Sequence, residues 1–177
     1  MRQTQLGKRH SAVTMLSILL LAGLFVCYVS GIIGSSGTAL ATLSSGFHPT
    51  LLAQPLFDEI HLKTHTPTYK AEIKTKGFSD VYFLDNTFDP GGHSGWHMHP
   101  GPSVVAVKSG TATYYSGDDP TCTPHVVQAG EGFVEASGHV HIVRNEGIGE
   151  LETVVFQLIP AGESRRIDVP DPGNCHF

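Results

Sequence analysis

From Tyr69 onward the chain is written in short runs. Apolar and polar residues alternate over five to ten positions, and each run stops at a cluster of Gly, Pro, Asn or Asp. Alternation with a period of two is the mark of a half-buried strand. The pattern predicts strands at 71–76, 80–88, 95–99, 103–108, 111–115, 125–128, 132–135, 139–144 and 150–159. Asp89-Pro90-Gly91-Gly92 is a turn, Ser109-Gly110 a tight hairpin, Gly117–Pro120 a longer loop, and Asn145–Gly149 another turn. Phe133, Val140, Ile142, Val155 and Phe156 are the expected core. With no long amphipathic helix, the fold class is all-β, a sandwich or barrel.

The chain before this region is built differently. Ala12–Ile33 runs without a charge for about 22 residues, long enough to cross a bilayer. Arg2, Lys8 and Arg9 precede it, and Ala39-Leu40-Ala41 matches a small-residue cleavage pattern. Two readings stand, a cleaved signal peptide and an N-terminal membrane anchor. In both, the basic end stays inside and the remainder is exported, periplasmic or extracellular. The expected organisation is a signal peptide or anchor over 1–41, a Ser/Gly linker over 42–48, a β domain over 49–160 and a Pro/Gly-rich C-terminal tail over 161–177. The state of 49–63 is not legible from its mixed pattern, although Leu51-Leu52 offers the start of a strand.

Charge narrows the partners. Three of the 11 Lys and Arg lie before Ala41 and all 16 Asp and Glu lie after it, leaving the exported part 8 against 16, a net charge of −8. Phosphate binding needs a basic surface, so nucleic acid is excluded as a partner. The membrane is engaged only through the N-terminal segment. Cys27 falls in the apolar run, leaving Cys122 and Cys175. In an oxidising compartment the expectation is one disulfide tying the 118–124 loop to the tail; free thiols or metal ligation are the alternatives.

The chemistry concentrates in two segments. In Gly91–Gly110, His97 and His99 are two residues apart, and in a strand such residues share a face. Gly130–Asn145 carries His139 and His141 at the same spacing. Together these segments resemble the two motifs of the cupin superfamily, G-x5-H-x-H-x3,4-E-x6-G and G-x5-P-x-G-x2-H-x3-N. Gly91, His97, His99 and Gly110 fall on the first; Gly130, Gly138, His141 and Asn145 fall on the second. The resemblance implies a double-stranded β-helix, the cupin jelly roll, with one divalent metal ion in the barrel mouth. It implies His97, His99 and His141 as ligands. Two positions depart from it: Ser103 stands where the family has Glu, and Ala136 where it has Pro.

Loss of that Glu leaves three neutral nitrogens and an uncompensated metal charge, an arrangement that favours an anionic or chelating ligand. Similar three-His cupins include thiol and diketone dioxygenases, which use ferrous iron. Iron or zinc is the expected metal, with manganese, nickel and copper chemically allowed. His93, Ser103, His139 and Tyr114 are candidates for contact with substrate or for support of the ligands. Glu131 and Glu135 are expected at a solvated edge, with an acid/base role as the alternative, and Arg165-Arg166 in surface ion pairs, with contact to an anion as the alternative. The function expected is that of an exported metalloenzyme acting on a small molecule, dioxygenase-like if it holds iron. A non-catalytic metal- or ligand-binding sensor is the alternative. A homodimer is the macromolecular assembly to consider.

Overall fold

The computed structural model describes residues 40–177; the N-terminal apolar run, its membrane readings and Cys27 lie outside the described residues. Every regular element among the described residues is a strand, and none is a helix long and apolar enough to cross a membrane. The strands are β1 (Ser45–Ala53), β2 (Leu56–Phe57), β3 (His61–His65), β4 (Lys70–Lys74), β5 (Ser79–His93), β6 (His97–Met98), β7 (Ser103–Ser109), β8 (Thr111–Ser116), β9 (His125–Gln128), β10 (Gly132–Glu135), β11 (His141–Arg144), β12 (Leu151–Pro160) and β13 (Ile167–Asp168). Eleven of them form one nearly closed antiparallel sheet, with the path β10-β7-β12-β5-β11-β6-β13 and with β1, β2, β8 and β9 joined to it. This is the double-stranded β-helix the motifs imply. β3 and β4 make a separate hairpin.

β5 organises the barrel. Over Ser79–Phe88 it pairs with all of β12, and near its end His93 pairs with Arg144 of β11. The Asp89–Gly92 segment, expected as a turn, is the bend by which this one strand passes between layers; Gly91 has φ 76° there. Asn145 fastens the bend. Its Nδ2 donates to Phe88 O (3.0 Å), Asp89 O (3.1 Å) and Gly149 O (2.8 Å), and its Oδ1 accepts from Gly147 N. The buried carbonyls freed by the bend thus find a donor, as buried backbone groups must.

The interior follows from strand parity. In β12, Leu151, Thr153, Val155, Gln157 and Ile159 are buried and the residues between them are not. The register then builds rungs across β5, β12, β7 and β10. One is apolar, Leu84–Val155–Val105–Phe133; the next is polar, Tyr82–Gln157–Ser103–Glu135. Phe156, expected in the core, faces out and packs part-buried against Phe83.

β1 was only half anticipated. It begins at Ser45, inside the segment read as a linker, because Phe47 packs on Phe88 (4.7 Å between centroids) and extends the sheet. The tail folds back across β6, β8 and β11. Cys175 bonds to Cys122, so the expected disulfide is present. A cluster of Trp96, Tyr115, Ile142 and Cys175 closes beneath it. Phe177 stacks near Trp96 and lies 3.9 Å beneath the Arg144 guanidinium.

Candidate metal centre

His97 and His141 are direct cross-strand partners in the β6–β11 pairing, so their side chains leave the sheet on one face. His99 lies two residues beyond His97 and joins the same cluster. Gly138, with φ 72°, donates its N–H to His99 O (2.8 Å), which binds the second motif to the first. The ring centroids are 4.4 to 5.2 Å apart, and one nitrogen from each ring lies within 4.8 Å of the other two. All three are buried.

Each ring is oriented from behind by main chain. His97 Nδ1 donates to Gly95 O (2.9 Å), His99 Nδ1 to Arg165 O (2.7 Å) and His141 Nδ1 to His139 O (2.9 Å). A carbonyl can only accept, so each Nδ1 carries the hydrogen and each neutral ring presents its Nε2 lone pair. Burial, followed by the charges of His141, Arg166 and His99, holds the His97 pKa well below its usual value. Neutral nitrogen is the form that binds metal.

A buried carboxylate lies on the strand neighbouring Ser103. Glu135 is only 4 % exposed, contrary to the solvated edge expected for it. Its Oε2 lies 3.2 Å from His99 Nε2 and its Oε1 3.1 Å from His141 Nε2. Glu135 is the register partner of Ser103. The sequence carried a signal for it. Phe133 was assigned to the core, and Glu135, two residues on, shares its face. Glu131 meets the expectation; it is exposed and accepts from Gln128 N.

The remaining candidates separate. Ser103 is fully buried, and its Oγ accepts from Gln157 Nε2 (2.9 Å), which also lies 3.3 Å from His99 Nδ1. Tyr114 stacks on the His141 ring at 5.4 Å, and burial raises its pKa. His139 does not join the cluster. It precedes β11, its side chain is exposed near Asp118, and only its carbonyl serves the site. His93 accepts from Gly95 N (3.2 Å) and faces Arg144, with its pKa lowered by burial and that charge.

Beside the histidines the barrel encloses a small chamber of about 40 Å³ that opens at a mouth. Its walls are the apolar rung together with Phe88 and Val143, interrupted by Asn86, Thr153 and Gln157. Arg165 and Arg166 of the tail complete its lining, both part-buried rather than in the surface setting expected.

The donor set suits a divalent cation. Three imidazole nitrogens converge, with Glu135 beside two of the rings, in a buried place where His141 Nε2 has no hydrogen-bond partner among the described residues.

Residues 86–156 match the family model for the cupin domain. No curated relative matches the sequence. Among solved structures, an oxalate oxidase is 30 % identical over 44 % of this chain, with a TM-score of 0.40; the match spans 41 % of that protein's length. A cupin domain from Bordetella pertussis Tohama I is 19 % identical over 65 % of this chain and 95 % of its own, with a TM-score of 0.44. A cupin superfamily protein from Desulfitobacterium hafniense DCB-2 is 13 % identical over 68 % and 84 %, with a TM-score of 0.46. With the family match lying across both histidine motifs, and those motifs facing each other inside a double-stranded β-helix, residues 86–156 are a cupin domain.

Proposed function

We propose that this is an exported cupin that binds one divalent metal through His97, His99 and His141, with Glu135 as the fourth donor, and acts on a small molecule admitted to the chamber. The observation that carries the reading is the orientation of the rings. Three Nδ1–H groups are tied to main-chain carbonyls, so three Nε2 atoms face one another and a buried carboxylate. Without a cation that arrangement leaves lone pairs opposed in a place water does not reach, which is costly. The disulfide supports the exported setting, since such bonds persist in oxidising compartments. Iron and zinc both suit three nitrogens and one oxygen. When bound, zinc would polarise a carbonyl or a water, and ferrous iron would activate oxygen.

Glu135 changes the electrostatics from those of three histidines alone. Its charge offsets one unit of the metal's charge, so a ligand needs less negative charge of its own to neutralise the centre. A second reading, a non-catalytic binding module, draws on one observation: besides the metal-proximal groups, the chamber's ionisable lining consists of two arginines, with no independent acid or base.

Elemental analysis tests the centre. Wild-type protein should carry close to one metal per chain and His141→Ala very little. Full metal content in a folded His141→Ala protein would sink the assignment. Oxygen uptake with thiols, diketones and phenols separates the two functions; none with any of them, in iron-loaded protein, favours the binding module.

A further inference from the structure

The two tail arginines that reach the chamber are not equivalent. Arg166 is committed: its Nε donates to Asp168 Oδ1 (2.6 Å) and its Nη2 to Ser94 O (2.5 Å). Arg165 makes no ion pair and no side-chain hydrogen bond among the described residues, yet its side chain is part-buried and lines the chamber. A guanidinium has five donors in a planar fork that matches a carboxylate. An arginine with no structural partner usually extends into water, where those donors are met. Here the residue is part-buried at the lining of a cavity.

A second observation points the same way. Asn86 and Gln157 are more than nine-tenths buried, both line the chamber, and each leaves its amide oxygen without a partner. Buried amides are ordinarily satisfied, so two beside one cavity mark places where a bound molecule makes hydrogen bonds. Between them lies the apolar rung of Leu84, Val155, Val105 and Phe133.

We propose that Arg165 is the anchor for the carboxylate of a small organic acid whose apolar body fills the chamber and whose polar substituents meet Asn86 and Gln157. This rests on the metal-centre reading in one respect, that the chamber is the ligand side of that centre. Arg165 also joins the two functions in a single residue. Its carbonyl orients His99 while its side chain holds the acid, so the acid is fixed relative to a metal ligand through one Cα.

Calorimetric titration of the zinc-loaded full chain with propionate, acetate and propionamide tests this, using wild type, Arg165→Met and Arg165→Lys, with zinc measured in each sample. Arg165→Gln replaces Arg165→Met should the latter fail to fold. Losing a charge-assisted hydrogen bond predicts a propionate affinity about 10- to 100-fold weaker in Arg165→Met. Arg165→Lys should recover part of it, and propionamide should be indifferent to all three residues. Equal propionate affinity in wild type and Arg165→Met at equal zinc content overturns the anchor, as does a wild type that binds neither acid. Propionate binding that depends on Arg165 in protein unable to hold zinc keeps the anchor and removes the metal centre.

Discussion

Glu135→Gln isolates the buried carboxylate that lies beside the histidines at an unspecified position of the second motif. The substitution keeps the volume and a hydrogen-bonding end but removes the charge 3.1 to 3.2 Å from two Nε2 atoms. At an effective dielectric constant of 20, a carboxylate attracts each unit of cationic charge 4 Å away by about 4 kcal/mol. Desolvation of a carboxylate as buried as this one already offsets several kcal/mol of that attraction. Removing one member of a buried charge pair costs about 3–5 kcal/mol in measured cases, or about two to three orders of magnitude in affinity. Competition against a chromogenic chelator at fixed pH should therefore find zinc bound about 100- to 1,000-fold more weakly by Glu135→Gln. The register supplies an internal rescue. Ser103 lies opposite Glu135 on the adjacent strand and faces the same interior, so Ser103→Glu combined with Glu135→Gln should regain at least about tenfold of the lost affinity. If Glu135→Gln binds zinc within threefold of wild type, Glu135 is no ligand and the centre is three histidines alone.

The disulfide and the outer cluster give two further tests. Reducing Cys122–Cys175 removes a cross-link between residues 53 apart, worth about 4 kcal/mol on the chain-entropy view, and should lower the melting temperature by roughly 10 °C or more. An unchanged melt with both thiols titratable would show that the tail packs without its bond. Tyr115 donates to Glu146 Oε1 (2.8 Å), and burial together with that carboxylate pushes its pKa up to about 12. The unfolded phenol titrates near 10. Its contribution is therefore complete below pH 10 and is lost as pH rises through 12. Urea midpoints from pH 9 to 12 should fall more steeply for wild type than for Tyr115→Phe; parallel slopes would refute the shift.

The histidine cluster was legible because its spacing encodes geometry directly. His97 and His99 share a face by parity, and His141 arrives opposite His97 through strand pairing. Cys122 and Cys175 were legible because two cysteines in an exported domain leave few alternatives. Glu135 was obscured by its neighbours: in Gly130–Glu135 two glutamates share parity, and only the pairing of β10 with β7 turns one inward while the other stays in the preceding turn. Of the β3–β4 hairpin, β4 was anticipated in the alternation of 71–76, whereas β3, His61–His65, carries a mixed pattern with every residue exposed and gave no signal. Arg165 could be named as a residue able to contact an anion, but its place at the cavity was not legible, since nothing local in a Pro/Gly-rich tail says that it folds back to the barrel.

That folding back sets an order of events. Arg165 O orients His99, and Cys175 with Phe177 covers the outer side of the strands that carry His97 and His141. In a chain made from its N terminus, Gly95 and His139, whose carbonyls orient His97 and His141, emerge before the histidines they aim, whereas Arg165, which aims His99, emerges after all three. Two corners of the cluster can thus be set as their own strands form, and the His99 corner waits for the tail to fold back.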